Sequence, residues 1–234
     1  MYNAFYENMK RISSISLVIL VMFITSCENN EKHPGGSQSA KGNDAAVVNE
    51  KEKTIIFFGN SITAGYGLSP SEAFPALIQH KLDSLKLAYK VVNAGVSGET
   101  SSGGNSRIGW ILRQPPDIFV LELGGNDGLR GIQLTETKKN LQSIIDKVKI
   151  KNPASKIIIA GMQIPPNMGQ KYTSEFGSIY PELAKKNDII LIPFLLEGVG
   201  GEEKLNQQDG IHPTAEGHKI VAENVWKELI KILF

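Results

Sequence analysis

Lys53-Thr54-Ile55-Ile56-Phe57-Phe58-Gly59-Asn60-Ser61 is the stretch on which the fold turns. Residues 54–58 are five apolar or β-branched side chains in a row. Such a run suits a strand buried on both faces, as in a parallel sheet covered by helices. Gly59 ends the run, Asn60 turns the chain, and Ser61 follows just past the strand's carboxyl end. Open α/β sheets place their chemistry at that edge, so Ser61 is the first candidate nucleophile.

Outward from this strand the same rhythm repeats. Further strands are expected at 90–93, 117–123, 156–160 and 189–192. Between them Phe74, Leu77, Ile78, Leu82 and Leu85 fall at helical spacing. Pro75 marks that helix's first turn, with Ser69-Pro70-Ser71-Glu72 as an alternative capped start. A second helix ends near Arg113 before Pro115-Pro116. A third carries the Leu141, Ile144, Ile145, Val148 stripe, and a fourth spans 174–186. The last starts at Pro213, with Val221, Val225, Leu229 and Ile232 on one face. The loop 198–203 reads as a solvated acidic turn. There is no internal repeat. Alternating strands and helices imply an α/β flavodoxin-like three-layer sandwich: a five-stranded parallel sheet, order 2-1-3-4-5, with helices on both faces.

The chain has 234 residues, 41% of them hydrophobic, enough for one domain. With a formal net charge of +1 and no basic run, there is no electrostatic footprint for a nucleic-acid partner. Cys27 is the only cysteine, so no internal disulfide forms. Lys10-Arg11, an apolar run over 15–24, then Thr25-Ser26-Cys27 follow the plan of a secretory signal. Met9 makes a tidier start for it than Met1. The apolar run is too short for a membrane span. Cysteine after small residues resembles a bacterial lipoprotein signal, cleaved before Cys27 with a lipid on its sulfur; a plain signal or a short anchor is the alternative. The expected organisation is a signal at 1–26, a polar flexible tether at 27–52 and a catalytic domain at 53–234. Such a protein would sit lipid-anchored in the bacterial cell envelope, facing the periplasm or the surface.

A serine hydroxyl needs a base within hydrogen-bonding reach. His33 lies in the tether, His80 on a helix surface and His218 inside the last helix. His212 remains, in Asp209-Gly210-Ile211-His212-Pro213. Asp209 three residues earlier can hold the imidazole's tautomer and stabilise its charged form; alternatively the two merely cap the last helix. Gly65 and Gly67 fit neither a phosphate loop nor a dinucleotide fingerprint. No third ligand joins Asp209 and His212 at a metal-binding spacing, so neither cofactor nor metal is expected. Ser97 is a rival nucleophile, although neither serine fits a Gly-x-Ser-x-Gly elbow, since Thr63 and Glu99 occupy the last position.

Gly59-Asn60-Ser61-Ile62-Thr63, Asn93-Ala94-Gly95-Val96-Ser97-Gly98, Gly124-Gly125-Asn126-Asp127 and Asp209-Gly210-Ile211-His212-Pro213 together resemble the four blocks of the SGNH, or GDSL, hydrolases. They occur in the family's order, across almost all of 53–234. The stretches 124–132, 164–172 and 209–213 are similar to the thioesterase I/lysophospholipase L1/arylesterase branch. The resemblance implies Ser61 as nucleophile, His212 as general base and then acid, and Asp209 as partner of the imidazole. It further implies an oxyanion hole built from the N–H groups of Ser61 and Gly98 and the Asn126 amide. Gly98 as a plain turn residue and Asn126 as a loop tie are the alternatives. The family usually has aspartate where Asn60 stands; asparagine keeps an oxygen acceptor, loses the charge and gains N–H donors.

The implied activity is hydrolysis of acyl esters or thioesters through an acyl-serine intermediate. Substrates would be lysophospholipids, aryl esters or other medium and long acyl esters. Leu129, Ile132, Ile164, Pro165, Pro166 and Met168 either line an acyl groove or pack their loops on the core. Two rival functions stand beside this one, a carbohydrate or small-ester deacetylase on the same fold and a non-catalytic lipid- or sugar-binding lipoprotein.

Overall fold

The computed structural model describes residues 52–234. The signal stretch, Cys27 and nearly all of the 27–52 tether lie outside the described residues. The first strand, β1 (Lys53–Gly59), is buried from Ile55 onward and has a paired strand on each side. Phe57 and Phe58 alternate across it as neighbouring strand residues must. Phe57 meets Phe74 edge-on, with ring centroids 5.3 Å apart, while Phe58 faces the opposite layer and tilts against Phe119 at 5.6 Å. One apolar run therefore anchors helices on both faces.

The remaining strands are β2 (Tyr89–Gly95), β3 (Ile118–Glu122), β4 (Lys156–Ala160) and β5 (Ile190–Ile192). They form a five-stranded sheet of order β2-β1-β3-β4-β5, parallel throughout. Between them lie α1 (Ser61–Ala64), α2 (Phe74–Ser84), α3 (Ser101–Ile111), α4 (Gly125–Leu129), α5 (Leu134–Lys151), α6 (Gln170–Asn187) and α7 (Ala215–Leu229). Helix α2 packs on α7; α3 packs on α5, which also meets α6. The close fit of α3 to the sheet requires Gly104, where a Cβ would come within 2.3 Å of Leu123 and 3.1 Å of Phe58.

Register places the chemistry. Gly59 aligns with Gly95 on one side and with Glu122 on the other, so the loops after β1, β2 and β3 open at one edge of the sheet.

Several expected boundaries move. Helix α7 starts at Ala215 rather than Pro213; Thr214 caps it, accepting from the Gly217 N–H at 3.2 Å. Pro213 instead forms an antiparallel bridge with Asn206, flanked by Gln207 N–H to His212 O (2.7 Å) and Thr214 N–H to Leu205 O (2.8 Å). An imide without an N–H fits such an extended position better than it fits a hydrogen-bonded turn. Helix α6 begins four residues early, at Gln170, because Gly169 at φ 89° ends the preceding turn and its carbonyl receives Thr173 N–H. The acidic turn at 198–203 is not wholly solvated: Val199 is completely buried. Both expected starts near α2 occur, a 3-10 turn at Pro70–Glu72 and then Pro75 in the first turn of the helix.

Candidate active site

Asn60 caps the four-residue helix α1, its Oδ1 accepting from Ile62 N–H at 2.9 Å. This aims Ser61, the first helical residue, across the sheet edge toward the carboxyl-terminal loop. Ser61 Oγ lies 2.8 Å from His212 Nε2, and His212 Nδ1 lies 2.6 Å from Asp209 Oδ2. Asp209 Oδ1 also accepts the N–H groups of Ile211 (2.9 Å) and His212 (3.0 Å). The His212 N–H, the imidazole and then the Ile211 N–H hold the Asp209 carboxyl down at about 2, so it stays ionised beside the ring. Asp209 thus bonds to His212 and His212 to Ser61, and neither caps α7.

The carboxyl-terminal loop is tied to the serine loop at two points. The Tyr66 ring lies over His212, centroids 4.7 Å apart. Gln207 Nε2 donates to Tyr66 O (2.7 Å) and Pro213 O (3.1 Å), while its backbone N–H holds His212 O.

Gly98 occupies the loop after β2 at φ 78°, a left-handed conformation that strains any side chain. Asn126 stands in α4 after β3, its Nδ2 donating to Glu99 O at 2.9 Å and keeping a second N–H free. The N–H groups of Ser61 and Gly98 have no protein acceptor among the described residues. Of the three loops, those after β1 and β3 supply Ser61 and Asn126 to the lining of one cleft. Ser97 is exposed and makes no bond to a histidine among the described residues.

Beneath the serine lies a residue that sequence reading missed. Glu122, 1% exposed, accepts from Asn60 N–H (3.0 Å), Asn60 Nδ2 (2.6 Å) and Thr63 Oγ1 (2.8 Å). Burial pushes its carboxyl up to about 7, against the opposing pull of the Thr63 and Asn60 donors. The Asn60 amide is thereby fixed on both ends, nitrogen to Glu122 and oxygen to the α1 cap.

A cleft of about 440 Å³ opens over Ser61, lined by Leu129, Met162, Ile164, Pro165, Pro166, Phe194, Leu196 and Ile211 together with Asn126 and His212. An apolar cleft with a few convergent polar groups is the usual form of a small-molecule site. Ile132 and Met168, two of the expected lining residues, do not reach it. Ile132 gives its N–H to Asp127 O and its carbonyl to the Tyr172 hydroxyl (2.7 Å). Met168 closes a 3-10 turn and packs against the core.

His80 is exposed on α2, and His33 lies outside the described residues. His218 is buried, its Nδ1 accepting Phe74 N–H at 3.1 Å, and burial pushes its imidazole down to about 4. Among the described residues no three His, Cys, Asp or Glu side chains converge as metal ligands would.

The chain is similar to known proteins along most of its described length. The profile of the "GDSL-like Lipase/Acylhydrolase family" matches residues 57–220. The chain is 40% identical over 182 residues to "Esterase TesA" of Pseudomonas aeruginosa, covering 77% of this chain and 90% of that protein. It is also 40% identical over 177 residues to "Thioesterase 1/protease 1/lysophospholipase L1" of Escherichia coli, covering 75% and 83%. A solved structure of TesA superimposes with TM-score 0.74 at 40% identity, covering 78% of this chain and 100% of that one.

Proposed function

This chain belongs to the GDSL-like lipase/acylhydrolase family, and from that membership we propose that Ser61, His212 and Asp209 are the triad with which it hydrolyses acyl esters. The protein is an esterase of SGNH type. The observation that carries the residue assignment is the unbroken chain from Ser61 Oγ to His212 Nε2 (2.8 Å) and from His212 Nδ1 to Asp209 Oδ2 (2.6 Å).

In the proposed reaction His212 takes the Ser61 proton as the oxygen attacks the acyl carbonyl. Ionised Asp209 stabilises the imidazolium, and the carbonyl oxygen, now an anion, meets the N–H groups of Ser61 and Gly98 and the free N–H of Asn126. His212 then protonates the departing alcohol or thiol. Water, deprotonated by the same imidazole, releases the acid from the acyl-serine. Asn126 is neutral, so it donates without quenching the base.

The finer substrate is part of the proposal. A lysophospholipid, aryl ester or acyl thioester suits the apolar wall of Leu129, Ile164 and Pro165, which favours acyl chains longer than acetyl by about 0.8 kcal/mol per buried methylene. That preference separates this reading from a deacetylase. An acyl-length series of p-nitrophenyl esters, run with wild type, Ser61→Ala and His212→Ala, tests it. Both variants should lose several orders of magnitude in kcat, since triad members act as a unit. Turnover surviving in Ser61→Ala would refute the assignment, and activity confined to acetyl esters would favour the deacetylase.

Lipid anchoring in the cell envelope belongs to the same proposal, supported by the Lys10-Arg11, apolar and Thr25-Ser26-Cys27 sequence alone. Fatty-acid labelling that persists in Cys27→Ser would refute it.

A further inference from the structure

We propose that Arg107 and Glu99 are positioning residues that set the oxyanion cradle, a claim that rests on the Ser61, Gly98 and Asn126 assignment above. The three proposed donors come from the loops after β1, β2 and β3, which strand register brings to one edge of the sheet and which side chains outside the sheet then tie together. Arg130 Nη2 donates to Gly98 O (3.1 Å), Ser101 N–H to Asp127 Oδ2 (2.8 Å) and Asn93 Nδ2 to Thr63 O (2.8 Å); Arg107, on α3, adds a tie that reaches the ends of both β1 and β2. Its guanidinium forks Glu99, with Nε to Oε1 at 2.6 Å and Nη2 to Oε2 at 2.5 Å. The same Nη2 donates to Ala94 O at the end of β2 (2.8 Å) and reaches Gly59 O at the end of β1 (3.5 Å). The guanidinium carbon lies 4.0 Å above the Phe58 ring, which fixes the plane of the fork. A bidentate, stacked arginine of this kind holds a geometry that lysine cannot reproduce.

Glu99 passes that geometry on in two directions. Its carbonyl oxygen accepts the Asn126 amide at 2.9 Å, which decides where the remaining Asn126 N–H points. Its backbone directly follows Gly98, and its own N–H is held by Val96 O at 3.1 Å, while Val96 N–H is held by Gly59 O at 2.9 Å. The Glu99 side chain is only 6% exposed and that of Arg107 24%, so the pair is shielded rather than a loose surface contact. Shielding makes the pairing necessary: an uncompensated carboxylate so near the cradle would oppose the oxyanion that the donors are there to receive. One guanidinium thus neutralises Glu99 and holds the loop that carries Gly98 and meets Asn126.

Neither side chain is asked to touch substrate. The cradle is used when charge develops in the transition state, so loosening it lowers kcat and leaves KM largely unchanged. The expected loss in Glu99→Gln and Arg107→Lys is about 10-fold or more. It stays below the about 10²–10³-fold that removing an oxyanion donor outright costs.

The experiment measures kcat, KM and the kcat–pH profile of the full-length protein on a p-nitrophenyl ester, for wild type, Glu99→Gln, Arg107→Lys, Asn126→Ala and Glu99→Gln/Asn126→Ala. Thermal unfolding is followed alongside. Glu99→Gln is close to isosteric and decides the matter if Arg107→Lys fails to fold. The proposal expects kcat to fall in Glu99→Gln with KM and the position of the pH limb unchanged. It also expects the part of that loss that acts through Asn126 to vanish in the Asn126→Ala background, leaving only the part carried by Gly98, so that the two losses combine to clearly less than their product. Full kcat in Glu99→Gln, a loss confined to KM, or losses that simply multiply in the double variant would overturn it. Wild-type kcat in Asn126→Ala would instead strike down the oxyanion assignment, and this inference with it.

Discussion

Replacing Asn60 by aspartate exchanges a donor nitrogen for an oxygen 2.6 Å from Glu122 Oε1, in a spot where both residues are buried. In the native protein the Glu122 carboxyl has an ordinary value of 4.5 when unfolded and about 7 when folded. Between those values the folded state holds a proton that the unfolded state has released. The stability Glu122 contributes is therefore fully present below about pH 4.5, is lost as pH rises through 7, and changes no further above that. The span corresponds to about 3 kcal/mol. In Asn60→Asp, two carboxyl groups share one gap and a donor has gone; they cannot both ionise in contact. The pair keeps one proton well beyond pH 7, so stability continues to fall where the wild type has levelled. The two should separate by about 1.4 kcal/mol for each pH unit above 7. Urea unfolding midpoints between about pH 6 and pH 9 measure this directly. Wild-type and variant curves running parallel from pH 7 to pH 9 would refute the reasoning, because Glu122 would then not be the group that titrates.

Asp209→Asn keeps the shape of the relay and loses the charge that stabilises the imidazolium, so kcat should fall about 10³–10⁴-fold with KM little changed; a loss under tenfold on the same ester would remove Asp209 from the mechanism. Because its hydrogen bonds hold the native Asp209 carboxyl at about 2, it is ionised throughout the working range, and no acid limb of wild-type kcat near pH 4 should disappear in Asp209→Asn. Gln207→Leu keeps the volume but leaves Tyr66 O and Pro213 O without their donor. Stability should drop by about 0.5–1.5 kcal/mol and kcat by about tenfold, read by urea unfolding and ester turnover. An unchanged kcat would show that the carboxyl-terminal loop holds its place without that tie.

Much of this molecule could be read before its structure. The five strands were legible because runs such as 54–58 and 156–160 are short, apolar and ended by glycine or proline, and local chemistry alone carries that signal. The pairing of Asp209 with His212 could be anticipated because Asp209-Gly210-Ile211-His212 packs carboxylate, turn and imidazole into four residues. What escaped was whatever depends on register. Glu122 looked like one more strand residue, and only the alignment of Gly59 with Glu122 brings its carboxylate under Asn60, 62 positions away. Helices α1 and α4 are too short to show a period. Ile132 and Met168 are as apolar as Leu129 and Ile164, and nothing in their hydrophobicity says which wall of the loop faces the cleft. Val199, buried within an exposed turn, eluded composition for the same reason.

Ser61 and His212 meet across 151 residues of chain, one near the first strand and the other just before the last helix. Synthesis makes the serine well before the imidazole. Until the segment carrying His212 has docked, the Ser61 hydroxyl lacks the base proposed for it. Long-range closure of this kind slows folding. A copy cut short before His212 also lacks Val221, Val225 and Leu229, which are completely buried in the core, so it loses the proposed base and part of its packing together.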